Sequence, residues 1–176
     1  MAGDHRNKDV PQYNRFSSVA SRGSVRLGLM IAALNNLHVH VTDIGNAYLN
    51  APPKERVHVV VGPELFGQDH SGETAVIVRA LYGLKSAGNA WREYFATYIR
   101  DTLKFTPTMA DPDVYRRPEV DSDGKPYYAY LIIYVDDVLC IHHLPGKIMD
   151  VINDDFRLKN GVDTNPKSYL GSDLKQ

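Results

Sequence analysis

Residues 127–143, YYAYLIIYVDDVLCIHH, set two adjacent acids, Asp136 and Asp137, inside one of the most apolar stretches of the chain. The run on each side of the doublet is apolar and of strand length. The simplest folding is therefore a β-hairpin turning at Val135-Asp136-Asp137 or a neighbouring register, because Asp tolerates turn dihedrals better than β-branched residues do. Turn acids are ordinarily there for the turn alone. Here, however, Ile132, Ile133, Tyr134, Val138 and Leu139 stand where a solvent-seeking turn carries Gly, Asn, Ser or Lys. Carboxylates held against such walls are costly unless positive charge sits on them, and a divalent cation supplies more of it than a side chain.

A third acid sharpens this expectation. The stretch LHVHVTDIGNAYLN begins with strand alternation, Leu37, Val39 and Val41 on one face and His38 and His40 on the other, and the strand stops near Asp43. If this strand lies beside the hairpin, Asp43 comes within metal-sharing distance of the doublet. Three carboxylates on adjacent strands suit two-metal phosphoryl transfer, since Mg²⁺ is hard, prefers oxygen, and takes one or two carboxylates plus substrate phosphates. Because strand side chains alternate faces, Asp43 and Asp136 rank above Asp137 as ligands.

The bulk properties narrow the class. With 176 residues, 43% hydrophobic and 23% charged, the chain reads as a soluble globular protein with room for one ordinary domain. The net charge of −1 excludes a uniformly basic surface, so nucleic acid would need a local patch. Arg6, Lys8, Arg15, Arg22 and Arg26 against Asp4 and Asp9 make the first 40 residues the basic part. A single cysteine, Cys140, excludes an internal disulfide and suggests a reducing compartment. No apolar run approaches the roughly 18 residues of a membrane span, and no His/Cys spacing matches a structural zinc site.

Along the chain, a polar leader over about 1–16 precedes a helix expected over 18–36, with Ser17 or Ser21 as its start signal and an Asn pair at its end. RVHVVV reads as a short strand, AVIVRALYGLKS as another strand and its exit, and SAGNAWREYFATYIRDTLK as a helix whose Ser86 is the N-cap and whose Trp91, Tyr94, Phe95 and Tyr98 belong to the core. DVYRR is a strand, DSDGKP a turn, PGKIMDVINDDFRLK a helix and KSYLGSDL a short strand. Hairpin signals dominate, which favours an α+β domain with helices packed on one face of an antiparallel sheet.

Taken together, YVDD in an apolar hairpin, the Asp-x4-Tyr element at Asp43 and Tyr48, ALYGLKSAGNAWREY and the intervening ADPDVY resemble the reverse transcriptase domain of copia-type LTR retrotransposon Pol polyproteins, from about Ser17 to the end. The resemblance implies a polymerase palm, about four antiparallel strands backed by two helices, with a partial fingers segment between about 50 and 80. It also implies RNA- and DNA-templated DNA synthesis with two Mg²⁺ ions, Mn²⁺ being a substitute. Asp43, Asp136 and Asp137 would be catalytic, and the Ile44 carbonyl a further metal ligand. Tyr48 would be the gate against a 2′-hydroxyl. Tyr82, Gly83 and Lys85 would contact template and nucleotide, and Tyr169, Leu170 and Gly171 would form the primer grip.

The implied partners are an RNA template, a DNA primer, dNTPs and, in a parent polyprotein, integrase and RNase H domains; the implied setting is intracellular and cytoplasmic, in a virus-like particle. Ser86-Ala87-Gly88 departs from the Gln-Ala-Pro common in the family, and the basic finger strands, thumb and RNase H are expected to be missing. Two rivals remain. One is a truncated, non-catalytic remnant that binds RNA or protein; the other is a different two-metal enzyme such as a cyclase, against which the Asp-x4-Tyr and YGLK elements argue.

Overall fold

The computed structural model describes residues 17–170 and 172–174, so the leader expected over 1–16 lies outside the described residues. In chain order the elements are α1 (Arg22–Leu34), β1 (His38–Ile44), a 3₁₀ turn (Ala47–Asn50), β2 (His58–Val60), α2 (Pro63–Phe66), a 3₁₀ turn (Gln68–His70), β3 (Thr74–Val76) and α3 (Ala87–Asp101). They continue with β4 (Thr106–Pro107), β5 (Val114–Val120), β6 (Pro126–Tyr134), β7 (Asp137–His142), α4 (Pro145–Asp155), β8 (Leu158–Asp163), β9 (Ser168–Tyr169) and β10 (Ser172–Asp173). Contacts divide the chain into two compact units. Among the described residues, one holds Ser17 and Asn46–Tyr94, and the other holds Ser18–Gly45 and everything from Phe95 onward.

The second unit is built on a six-stranded sheet ordered β4-β5-β6-β7-β1-β8, with every pairing antiparallel. The expected four strands are thus too few. β4 is two residues long, and β8 has the polar sequence LKNGVD, so neither carries the apolar alternation that marks a strand. The helix expected through Lys159 stops at Asp155, and Leu158–Asp163 enters the sheet as its edge.

Helices on one face only is also corrected. On β7, Leu139 and Ile141 pack in a cluster with Ala20, Val25 and Ala32 around α1. The alternate residues Val138 and Cys140 point to the opposite face by the strand's period of two, yet they are fully buried, and α4 contacts both β1 and β7. A strand apolar at both parities needs cover on both sides. On α1 the close approach depends on Gly28: a Cβ there would lie 2.6 Å from Ile132 Cδ1 and 3.1 Å from Ile141 Cδ1.

α1 starts where a serine signal stood. Ser21 has extended dihedrals and its hydroxyl accepts the Ser24 N–H at 3.0 Å. The Asp111 carboxylate accepts both the Ser21 N–H and the Ser24 hydroxyl, and Ser18 donates to Asp113, so ADPDVY fastens the helix start. Beneath the sheet, Phe95, Tyr98 and Phe156 form an aromatic group with Phe156 edge-on to both rings, and the Tyr98 hydroxyl donates to the Val151 carbonyl of α4. Phe95 is buried as expected of a core residue, as is Trp91 in the first unit, whereas Tyr94 is 43% exposed.

In the first unit, β2 and β3 form a two-stranded antiparallel sheet with Val59 opposite Ala75. The second strand is β3 (Thr74–Val76), and after it the chain passes through turns to α3.

Burial pushes the Cys140 thiol up to about 12. Native protein at pH 8 should therefore leave a thiol reagent such as DTNB unreacted over minutes, while urea-unfolded protein releases one equivalent of chromophore; prompt native reaction would place Cys140 outside the core.

Candidate active site

Asp43 lies at the end of β1 and Asp137 opens β7, and the two are direct partners in the antiparallel register. Direct partners leave the sheet on the same side, with Cβ atoms roughly 4.5–5.5 Å apart. Asp136 sits in the two-residue turn between Tyr134 and Asp137, which pair across the hairpin. Its carbonyl accepts the Ile44 N–H at 2.8 Å, which stitches the hairpin tip to the end of β1. Ile44 itself is fully buried and opposite Leu158.

The turn differs from its expected chemistry in one respect. The left-handed residue is Val135, φ 58°, and neither Asp. A positive φ at the first loop position alone is the II′ pattern, for which Gly is the favoured residue. A β-branched residue there is strained by about 1–3 kcal/mol, a cost that folds tend to tolerate at functional sites. With the strain held by Val135, Asp137 begins a regular strand opposite Asp43. Face alternation along one strand ranks Asp136 above Asp137, whereas the register makes Asp137 the direct strand partner of Asp43.

The electrostatics follow from this crowding. Burial first, then the Asp136 and Asp43 carboxylates, push the Asp137 carboxyl up to about 6, with Lys159 opposing. Asp43 uses one oxygen to accept from the Lys159 ammonium at 3.2 Å, while its other oxygen, Oδ1, is buried with no hydrogen-bond partner among the described residues. An all-oxygen donor set with an orphaned buried carboxylate oxygen suits a hard divalent cation. Among the described residues, however, no three His, Cys, Asp or Glu side chains are grouped so as to hold a metal ion. The donors share a neighbourhood without converging into a cage.

On the same face of the sheet, Tyr169 of the β9–β10 hairpin is buried against the α1 cluster. Its hydroxyl lacks a partner among the described residues, and burial, with the Asp137 charge as the next cause, raises it above the usual phenol range. Leu170 carries φ 49° in the turn and packs against that cluster. Gly171 lies outside the described residues.

The other expected contact residues belong to the first unit. Tyr48, on the 3₁₀ turn, stacks on Tyr82 with ring centroids 4.5 Å apart and planes 30° apart. Tyr82 is 63% exposed, Gly83 has φ 102°, and Lys85 is half-buried in the turn that leads to α3. Ser86, where the resembled family has Gln, is fully buried and donates its hydroxyl to Glu55. Its carbonyl accepts the Ala90 N–H, so it holds the cap position while its side chain fastens the loop before β2. Lys159 escaped the sequence reading because its segment reads as the tail of a helix, and a lone Lys there carries no signal.

A family model described as reverse transcriptase (RNA-dependent DNA polymerase) matches residues 4–176. The chain is 26% identical over 164 residues to the retrovirus-related Pol polyprotein from transposon RE1 of Arabidopsis thaliana, which covers 92% of this chain and 11% of that protein. Against the Pol polyprotein from transposon TNT 1-94 of Nicotiana tabacum it is 27% identical over 156 residues, 88% of this chain and 11% of the relative. Against the transposon Ty1-BL Gag-Pol polyprotein of Saccharomyces cerevisiae it is 30% identical over 97 residues, 55% of this chain and 5% of the relative. The chain thus spans about a tenth of the length of the plant relatives. No solved structure matches it.

A raised carboxyl holds its proton more tightly when folded than when unfolded, so stability is lost as pH rises from the ordinary 3.8 through about 6. Without divalent cations, Asp137→Asn should therefore be more stable than the parent at pH 7, by about 1 kcal/mol once partial exposure is allowed for. Below about pH 4 the two should unfold alike; urea titrations at both pH values measure the difference.

Proposed function

This chain belongs to the reverse transcriptase family, and we propose that it is the palm with part of the fingers of a copia-type enzyme, whose parent makes DNA on RNA and DNA templates. The observation that carries this is the direct pairing of Asp43 with Asp137 beside Asp136 in the adjoining turn. It sets two carboxylates on one face of the sheet, with the third next to them on the hairpin tip. Asp43, Asp136, Asp137 and the Ile44 carbonyl would hold two Mg²⁺ ions, which lower the pKa of a primer 3′-hydroxyl and neutralise the departing pyrophosphate.

The chain's own groups supply positioning. The buried, unpartnered Asp43 Oδ1 is a donor oxygen that folding has already stripped of water. Its desolvation is compensated when positive charge arrives. The rigid sheet fixes Asp43 and Asp137 relative to each other, so little ordering remains to be done at the reacting centre. Tyr48, backed by its stack on Tyr82, would meet the sugar of the incoming dNTP and exclude a 2′-hydroxyl. Tyr82, Gly83 and Lys85 would contact template and nucleotide, and Tyr169, Leu170 and Gly171 the primer. The parent would carry integrase and RNase H domains and work inside the cell. No helix among the described residues is long and apolar enough to cross a membrane.

A second reading is favoured by one observation, the absence of a converged three-ligand group among the described residues. On that reading the chain is a remnant that binds RNA or protein without catalysis.

Primer extension on an RNA template with Mg²⁺ and dNTPs separates the two readings. The chain, supplied where needed with the fingers and thumb of a parent, should extend the primer, and Asp136→Asn should reduce extension by at least about a thousandfold with the fold intact by circular dichroism. Extension that survives in Asp136→Asn would refute the metal assignment; none from any form would leave the remnant. Tyr48→Ala should raise ribonucleotide incorporation by roughly tenfold or more in single-nucleotide competition, the scale of losing one steric contact in a pocket, and unchanged sugar selectivity would remove Tyr48 from the site.

A further inference from the structure

Lys159 pairs with Asp43 of the acid cluster, and the way the chain delivers it is specific. β8 pairs with β1 as Thr42 opposite Val162 and Ile44 opposite Leu158, so between these pairs the single residue Asp43 of β1 faces three of β8. The surplus is a bulge over Lys159, Asn160 and Gly161. Gly161 has φ 75°, a conformation that favours glycine, and its carbonyl accepts the Thr42 hydroxyl at 2.8 Å. At the other end of the bulge, the Gly45 N–H donates to the Arg157 carbonyl at 2.8 Å, and a Cβ on Gly45 would lie 3.1 Å from that oxygen and 3.9 Å from the Lys159 Cα. Two glycines and a threonine thus hold the edge strand close to the end of β1. Bulges at sheet edges re-aim side chains, and this one brings the Lys159 ammonium to 3.2 Å from Asp43 Oδ2.

We infer that Lys159 is a resident counter-ion of the acid cluster, paired with Asp43 and displaced when a divalent cation binds, so that it sets the affinity of the cluster for that cation. This rests on the reading of Asp43, Asp136 and Asp137 as metal ligands: one oxygen of Asp43 accepts from an ammonium on the edge strand, and the other is buried without a partner among the described residues. The Lys159 side chain is 61% exposed, so it can swing into solvent without disturbing the core. Its exposure also makes the exchange cheap, because a solvated ion pair contributes little to hold it in place. A monovalent charge that leaves in this way keeps the carboxylates from repelling one another before the metal arrives and imposes a threshold concentration for loading.

The test is Mn²⁺ binding to the 176-residue chain, read from the loss of the free-Mn²⁺ electron paramagnetic resonance signal without nucleotide or primer. Lys159→Met should bind Mn²⁺ at least about fivefold more tightly than the parent, since a positive charge close to the ion has been removed, and Lys159→Arg should stay near the parent. Gly161→Ala, which strains the bulge, should shift affinity in the same direction as Lys159→Met. Added Asp43→Asn should abolish the gain. Parent binding that depends on Asp43 but is unchanged in Lys159→Met would overturn the role of Lys159 alone. No Asp43-dependent binding in either protein would overturn the metal reading and this inference with it.

Discussion

The pairing of Asp43 with Asp137 is the constraint around which the larger unit is arranged. Two carboxylates facing the same way on adjacent strands repel, and the register that opposes them is enforced by residues that have no charge. Val39 opposite Ile141 and Val41 opposite Leu139 continue the same face down the two strands, where they pack beneath α1. A slip of one residue would turn those apolar side chains out of the core. The hydrophobic pattern therefore determines which acids meet, and the acids tolerate the meeting because the packing is worth more than the repulsion.

The hairpin tip and the edge strand then adapt to that register. Val135 takes the left-handed conformation, which lets β7 begin in phase at Asp137. The bulge in β8 delivers Lys159 to Asp43, with Gly161 supplying the positive φ and Gly45 the close backbone approach that this requires. Strain, a bulge and an orphaned carboxylate oxygen are gathered at one end of β1, while the far end of the same sheet is regular. Local departures from ideal geometry mark the end where chemistry is proposed. The Tyr48–Tyr82 stack in the smaller unit is a separate feature, a half-buried ring against an exposed one on turns shaped by Gly83 and by the Ser86 contact with Glu55.

Much of this was legible in the residues, and for identifiable reasons. The hairpin at Val135-Asp136 was readable because an acid doublet cannot sit in the middle of a buried strand, and α1 because Ser21 and the Asn35-Asn36 pair bracket an apolar period. Other features were hidden. β8 is polar and interrupted by Gly161, so its strand character comes from pairing with β1 and not from its own composition. Lys159 was invisible for the same reason. The left-handed turn residue is Val135 and neither Asp, because the register of the flanking strands, and not turn propensity, decides it.

By itself, the sequence determined the family, the Ser86 start of α3 and the apolar hairpin with its acid doublet, since each of these is written in local composition and spacing. It also determined that the lone thiol would be buried, because Cys140 lies inside a run that is apolar at both parities. Only the tertiary structure decided that Asp137 is the direct partner of Asp43, that both faces of the sheet are covered, and that the ammonium of Lys159 reaches Asp43. Those outcomes depend on strand register and on a bulge between segments more than 100 residues apart. Register is a property of two strands together, settled by which pairing buries more apolar surface, and no single stretch of chain contains it.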